Sequence, residues 1–96
     1  MIKHVLFVKL KDYTPQNAEA LRDKFLTMRG NVPSAIEVNA YVDFLRSERS
    51  FDVILEVTLE SREALEEYQR DEFHCNEIKT YVQSIRSASA AVDYEF

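Results

Sequence analysis

The opening segment of the chain reads as a strand with two unlike faces, and that asymmetry constrains the fold more than any other feature. Side chains alternate along a strand, so Ile2, His4, Leu6, Val8 and Leu10 share one face while Lys3, Val5, Phe7, Lys9 and Lys11 share the other. The first face is apolar apart from His4 and belongs on a core. The second sets Val5 and Phe7 among lysines, so something besides water covers its middle. The lysines themselves suit a sheet edge, where charge keeps strands soluble.

The segments that follow supply the rest of a small layered fold. Thr14 is an N-cap ahead of Pro15, and Ala18, Leu21, Phe25 and Met28 recur at helical spacing up to Gly30, a C-terminal cap. Ile36, Val38, Ala40, Val42 and Phe44 make the inward face of a second strand. Arg46 to Ser50 is a polar turn without glycine, longer than a two-residue hairpin. Phe51, Val53, Leu55, Val57 and Leu59 face inward on a third strand, with Asp52, Ile54 and Glu56 outward. Ser61 caps a helix carrying Ala64, Leu65 and Tyr68, and Asp71 caps a further turn or helix bearing Ile78, Val82 and Ile85. Residues Ala91 to Phe96 return to strand character. The order βαββαβ predicts an α+β, ferredoxin-like sandwich: a four-stranded antiparallel sheet with helices on one face.

Such a sheet leaves one face bare, and here it carries Val5, Phe7, Tyr41 and Ile54. A two-fold partner covers a patch of this kind because the patch is complementary to itself, so a homodimer is expected; the alternative is a monomer with a half-polar face.

Composition excludes several classes of function. The 96 residues make one domain, residues 1–96, with 46% apolar and 30% charged residues, as in a soluble globular protein. One glycine cannot build a phosphate-cradling loop. A net charge of −5 with scattered cations argues against nucleic acid. No stretch approaches the ~20 apolar residues of a membrane span. A single cysteine, Cys75, closes no intrachain disulfide and points to a reducing compartment, so the expected location is cytoplasmic. No cofactor and no metal site is expected, because two histidines without a further nearby ligand hold a transition metal poorly.

Few residues remain to carry chemistry. His4 is either a core histidine with satisfied nitrogens or a general base held neutral by burial. His74 is either a surface histidine or an imidazole at the start of a helix, kept neutral by the helix dipole. Tyr68, six residues earlier, is a core tyrosine unless it points into one pocket with the two histidines. Cys75 is next to His74 on a helix and points about 100° away from it, so a Cys–His dyad is disfavoured. The acidic residues Glu60, Glu63, Glu66 and Glu67 form a solvated helix face.

Ile2-Lys3-His4-Val5, Phe7 to Asp12, Val32-Pro33, Glu56 to Ser61, Ala64-Leu65 with Tyr68 and His74, and Val92-Asp93-Tyr94 together resemble the stress-responsive dimeric α/β-barrel family, Dabb, nearly end to end. The resemblance implies a ferredoxin-like subunit in a dimeric α/β barrel, with the C-terminal strand reaching the partner. Many members have no assigned reaction; others are cofactor-free polyketide cyclases working by aldol chemistry in a pocket between sheet and helices. By that resemblance His74 is the general base, Tyr68 its hydroxyl partner and His4 a polar wall group, with Leu6, Val8, Phe25, Val53 and Leu55 lining the pocket. The chain departs from the family where Asp71-Glu72-Phe73-His74 replaces His-Pro-x-His, and where Phe25 and Val53 replace a pocket tyrosine and histidine. Two activities are therefore expected as alternatives. One is a homodimer binding a small hydrophobic ligand, without assigned turnover. The other is a cofactor-free enzyme acting on an aromatic or β-dicarbonyl compound. Quinol-type monooxygenases and heme-handling proteins share the dimeric barrel, but nothing in these residues singles them out. A pocket of a few hundred cubic ångströms favours a binder or enzyme. A filled core with His4 hydrogen-bonded to Tyr68 favours a structural role.

Overall fold

In the computed structural model, which describes residues 1–96, the strand order is β2-β3-β1-β4 and every pairing is antiparallel. The strands are β1 (Ile2–Leu10), β2 (Ala35–Val42), β3 (Val53–Leu59) and β4 (Arg86–Glu95). The helices are α1 (Pro15–Leu26), α2 (Arg62–Arg70) and α3 (Thr80–Ile85), the last continuing a π-helical segment, His74–Lys79. This is the ferredoxin-like βαββαβ arrangement. Ala18, Leu21, Phe25 and Met28 from the α1 side, with Tyr68, Ile78 and Val82, pack on the inward residues of β1, β2 and β3 as one core. No helix is long and apolar enough to cross a membrane.

The helix starts follow from local chemistry. The Thr14 hydroxyl accepts from the Asn17 amide at 3.0 Å with Pro15 opening α1, and the Ser61 hydroxyl accepts from the Ala64 amide at 3.1 Å. Asp71 caps the π-helical segment through the His74 amide at 3.0 Å. At the other end of α1 the α-helix stops at Leu26 rather than running to Gly30. Met28, Arg29 and Asn31 donate three residues back, so the chain tightens into short turns before Gly30, at φ 80°, reverses it.

Four expectations need correcting. β1 is an inner strand, so Lys3 and Lys9 do not guard an edge; each ammonium instead lies 5.6 Å from an aromatic centroid, Phe96 and Phe51 respectively. A bulge between Ala35 and Glu37 turns Ala35 toward the core and leaves Ile36 exposed, which breaks the alternation of β2 at its start. Phe44 lies past the end of β2 and is exposed. Phe51 and Asp52 exchange roles. Phe51 packs on Phe7 with centroids 6.1 Å apart, while Asp52 is buried.

The buried Asp52 closes the end of the sheet. Its carboxylate accepts from the Leu10 amide and from Arg46 Nη1, both at 2.7 Å, and its own amide donates to the Val8 carbonyl at 2.8 Å. Arg46, at φ 55°, also lies 3.7 Å from the Tyr13 ring centroid, so the long 43–52 connection is pinned to β1 and to the start of α1. Replacing Asp52 strands a buried amide. We expect Asp52→Ala to lower the unfolding free energy by about 2–3 kcal/mol in urea titrations, and Asp52→Asn by clearly less, since its amide oxygen still accepts from Leu10. A change below about 0.5 kcal/mol for Asp52→Ala contradicts this assignment.

Candidate functional site

His74 is placed by the break between α2 and the π-helical segment. Asp71 is extended, at ψ 132°, and ends α2; its side chain then caps the new start. The carbonyls at a helix C-terminus lack partners within the helix. Here the returning chain satisfies them. His74 Nδ1 lies 3.0 Å from the Tyr68 carbonyl, and both Cys75 Sγ and Lys79 Nζ donate to the Gln69 carbonyl at 3.2 Å. A carbonyl only accepts, so His74 Nδ1 carries the ring proton and Nε2 keeps its lone pair without a partner. His74 is buried rather than on the surface. Burial, then the nearby Lys79 charge, lowers its pKa to about 4 against the lifting effect of the Tyr68 carbonyl, so the ring is neutral near pH 7.

Tyr68 is fully enclosed and joins the two histidines. Its ring stacks on His74 with centroids 4.1 Å apart and lies 5.5 Å from the His4 ring. Its hydroxyl faces Met28 Sδ at 3.8 Å instead of either imidazole. Burial first, then the charges of Asp71 and Asp93, raise its pKa, which keeps the hydroxyl protonated. Tyr68 thus supports the imidazoles through ring and backbone. His4 does not bond to Tyr68. Its Nδ1 donates to Asp93 Oδ1 at 2.5 Å, across the β1–β4 ladder in which the two residues face each other. Its Nε2 is left free, as in His74.

The two imidazoles border a cavity of about 290 Å³ between the sheet and the helices. Leu6, Phe25, Leu55, Ile78 and Val82 form its apolar wall. His4, Tyr68, Gln69 and His74 form a polar side, and Lys79, Gln83, Arg86 and Ser89 stand at its mouth. Of the residues singled out in the sequence, His4, Leu6, Phe25, Leu55, Tyr68 and His74 meet here. Val8 is sealed in the core, and Val53 borders a different concavity of about 550 Å³ on the bare face, with Phe7, Phe51 and Ile54. That larger concavity is lined by Asp43 and Arg49 but by no histidine and no tyrosine. No group of three or more His, Cys, Asp or Glu side chains gathers to hold a metal ion.

A family model of the stress responsive A/B barrel domain, Dabb, matches residues 2–96. The chain belongs to this family. Among solved structures, an Arabidopsis thaliana protein is similar at 24% identity and a TM-score of 0.84, over 100% of this chain and 95% of the other. A dimeric protein of unknown function with a ferredoxin-like fold from Bacteroides fragilis is similar at 16% identity and a TM-score of 0.82, over 99% and 95%. An antibiotic biosynthesis monooxygenase is similar at 13% identity and a TM-score of 0.71, over 100% and 98%. No curated protein matches the sequence. At these identities the structures establish the Dabb chain's fold alone.

Sequence reasoning missed Asp93, Gln69 and the four residues at the mouth. Asp93 sits in the Val92-Asp93-Tyr94 stretch, but its place opposite His4 depends on the register of a strand pair 89 residues apart in the chain. Lys79 and Arg86 carried no local signal.

The neutral state of His74 makes the stability of this Dabb chain depend on pH. The fold disfavours the imidazolium, so the unfolded chain takes up the proton first, near the ordinary pKa of 6.5, and stability falls as the pH drops from there toward 4. Between pH 7 and 4.5 this site accounts for a loss of about 2 kcal/mol. Urea midpoints at several pH values test this. The slope in that window should be visibly shallower in His74→Gln than in wild type; equal slopes refute it.

Proposed function

We propose that this Dabb chain forms a homodimer through its bare sheet face and holds a small hydrophobic compound in the cavity under its helices. The observation that carries the binding reading is the 290 Å³ cavity, where an apolar wall meets two imidazoles whose Nδ1 atoms are engaged and whose Nε2 atoms are free. A filled core would leave no such space. The volume lies just below the usual ligand range of about 300–1,000 Å³, so the compound is small. Titration of the protein with small aromatic and β-dicarbonyl compounds, followed by the imidazole NMR resonances of His4 and His74, tests it. Binding should shift both, and His74→Ala should weaken it by about five- to tenfold, the worth of one hydrogen bond. A panel that moves neither resonance refutes the reading.

The dimer rests on the apolar surface of the bare face. The ladder places Val92 beside Val5 and Tyr94 beside Lys3, so β4 extends the patch of Val5, Phe7, Tyr41 and Ile54. Tyr41 is 54%, Val92 55% and Tyr94 48% exposed, apolar surface on one sheet face that a two-fold partner would cover. The dimeric Bacteroides fragilis neighbour agrees with this reading. Sedimentation equilibrium should give twice the mass of the chain, and Val92→Asp should shift it toward the monomer; a monomeric wild type at micromolar concentration contradicts it.

The free nitrogens favour a second reading, cofactor-free proton transfer. The resemblance makes His74 the base, but burial weakens its imidazole as a proton acceptor, so the role passes in this reading to His4. Asp93 holds His4 with Nδ1 protonated, which leaves Nε2 free to accept a proton from a carbon acid, while His74 Nε2 accepts a hydrogen bond. Tyr68, its hydroxyl turned to Met28, supports both rings.

A further inference from the structure

We infer that the compound held in this cavity is an anion, a small hydrophobic carboxylic acid whose carboxylate lies at the mouth between Lys79 and Arg86. This rests on the ligand-binding reading above. Aspartates and glutamates outnumber lysines and arginines by 17 to 12 in the chain, yet the cavity is lined by two cations and no carboxylate. The acids beside its polar side are engaged, Asp93 with the His4 ring and Asp71 with the His74 amide.

The two cations are also uncommitted. Lys24, Arg46 and Arg62 each meet a carboxylate, Glu77, Asp52 and Glu95 respectively. Lys79 and Arg86 meet only neutral oxygens, the Gln69 carbonyl at 3.2 Å and Ser89 Oγ at 3.1 Å. An ammonium has three donors and a guanidinium five in a planar fork that fits a carboxylate, so most of their capacity is free. Gln83 and Ser89 add neutral donors at the same rim. Inside, the wall of Leu6, Phe25, Leu55, Ile78 and Val82 suits only the apolar body of a ligand. The polarity therefore has a direction: hydrocarbon inward, charge at the rim. The volume admits one ring and a short chain with a single head group.

A matched pair of probes isolates the charge: 4-butylbenzoate and 4-butylbenzyl alcohol share a body and differ in the head. Calorimetric titration at low salt should show wild type binding the acid about tenfold more tightly than the alcohol, a difference that shrinks as salt is added. Lys79→Gln and Arg86→Gln should each lower acid affinity about threefold, as expected for exposed charge contacts. The double variant should lose the preference while binding the alcohol within about twofold of wild type. Arg70→Gln, an exposed cation away from the cavity, should keep the preference. Both rim residues are exposed, and thermal unfolding of the single variants confirms their folding. Equal affinity of wild type for the two probes, or a preference that survives in the double variant, overturns the anion while leaving the binding reading intact. Binding of neither probe, with unmoved histidine resonances, overturns both.

Discussion

β1 is hydrogen-bonded along both sides, to β3 and to β4, and this fixes which of its faces meets the helices. A strand's side chains repeat every two residues, so a slip of one position would exchange Ile2, His4, Leu6, Val8 and Leu10 for Lys3, Val5, Phe7 and Lys9. The first set encloses the core and the second could not. Pairing on both sides and burial on one face therefore select the same register. His4 is held over Tyr68 by the same constraint that fills the core, and Val5 and Phe7 are left on the bare face.

The site is a consequence of that arrangement meeting an interruption in the helical layer. An unbroken helix after Ser61 would cover the sheet and satisfy its own carbonyls. Asp71 stops it, and the carbonyls of Tyr68 and Gln69 then accept from His74, Cys75 and Lys79. Each histidine is anchored through Nδ1, one to a backbone carbonyl and one to a carboxylate, so both present Nε2. Polar groups in an apolar enclosure keep a fixed direction only when their other atoms are bonded. Tyr68 provides stiffness between them: it is wedged between the rings with its hydroxyl on a thioether, a weak acceptor.

What could be read in the sequence was local or periodic. Thr14, Ser61 and Asp71 announce their caps because the partner amide lies three residues away. The inward faces of β1 and α1 follow from spacing alone. The errors arise where a distant contact overrides a local pattern. Ile36 is turned out by a bulge that register with β3 requires, and Asp52 is drawn in by the Leu10 amide and Arg46. His4, Tyr68 and His74 could each be named as candidates, yet their convergence depends on how α2 crosses the sheet. Asp93 became visible only with the β1–β4 register, and Lys79 only with the winding of the segment that carries it.

That winding explains why one residue shapes both the mouth of the cavity and the state of His74. In an α-helix, at 100° per residue, Lys79 would point about 140° away from His74. In a π-helical turn the bonding partner is five residues on, so Lys79 returns to the same side as His74. Ile78 stays on the buried side and continues the apolar wall into Val82 of α3. One wider turn thus brings a cation to the rim without removing hydrocarbon from the interior. Burial is the main cost of protonating His74, and the Lys79 charge at the entrance adds to it, so the imidazole inside stays neutral. The charge at the rim, and its share in keeping the interior neutral, both come from a single backbone feature of this chain.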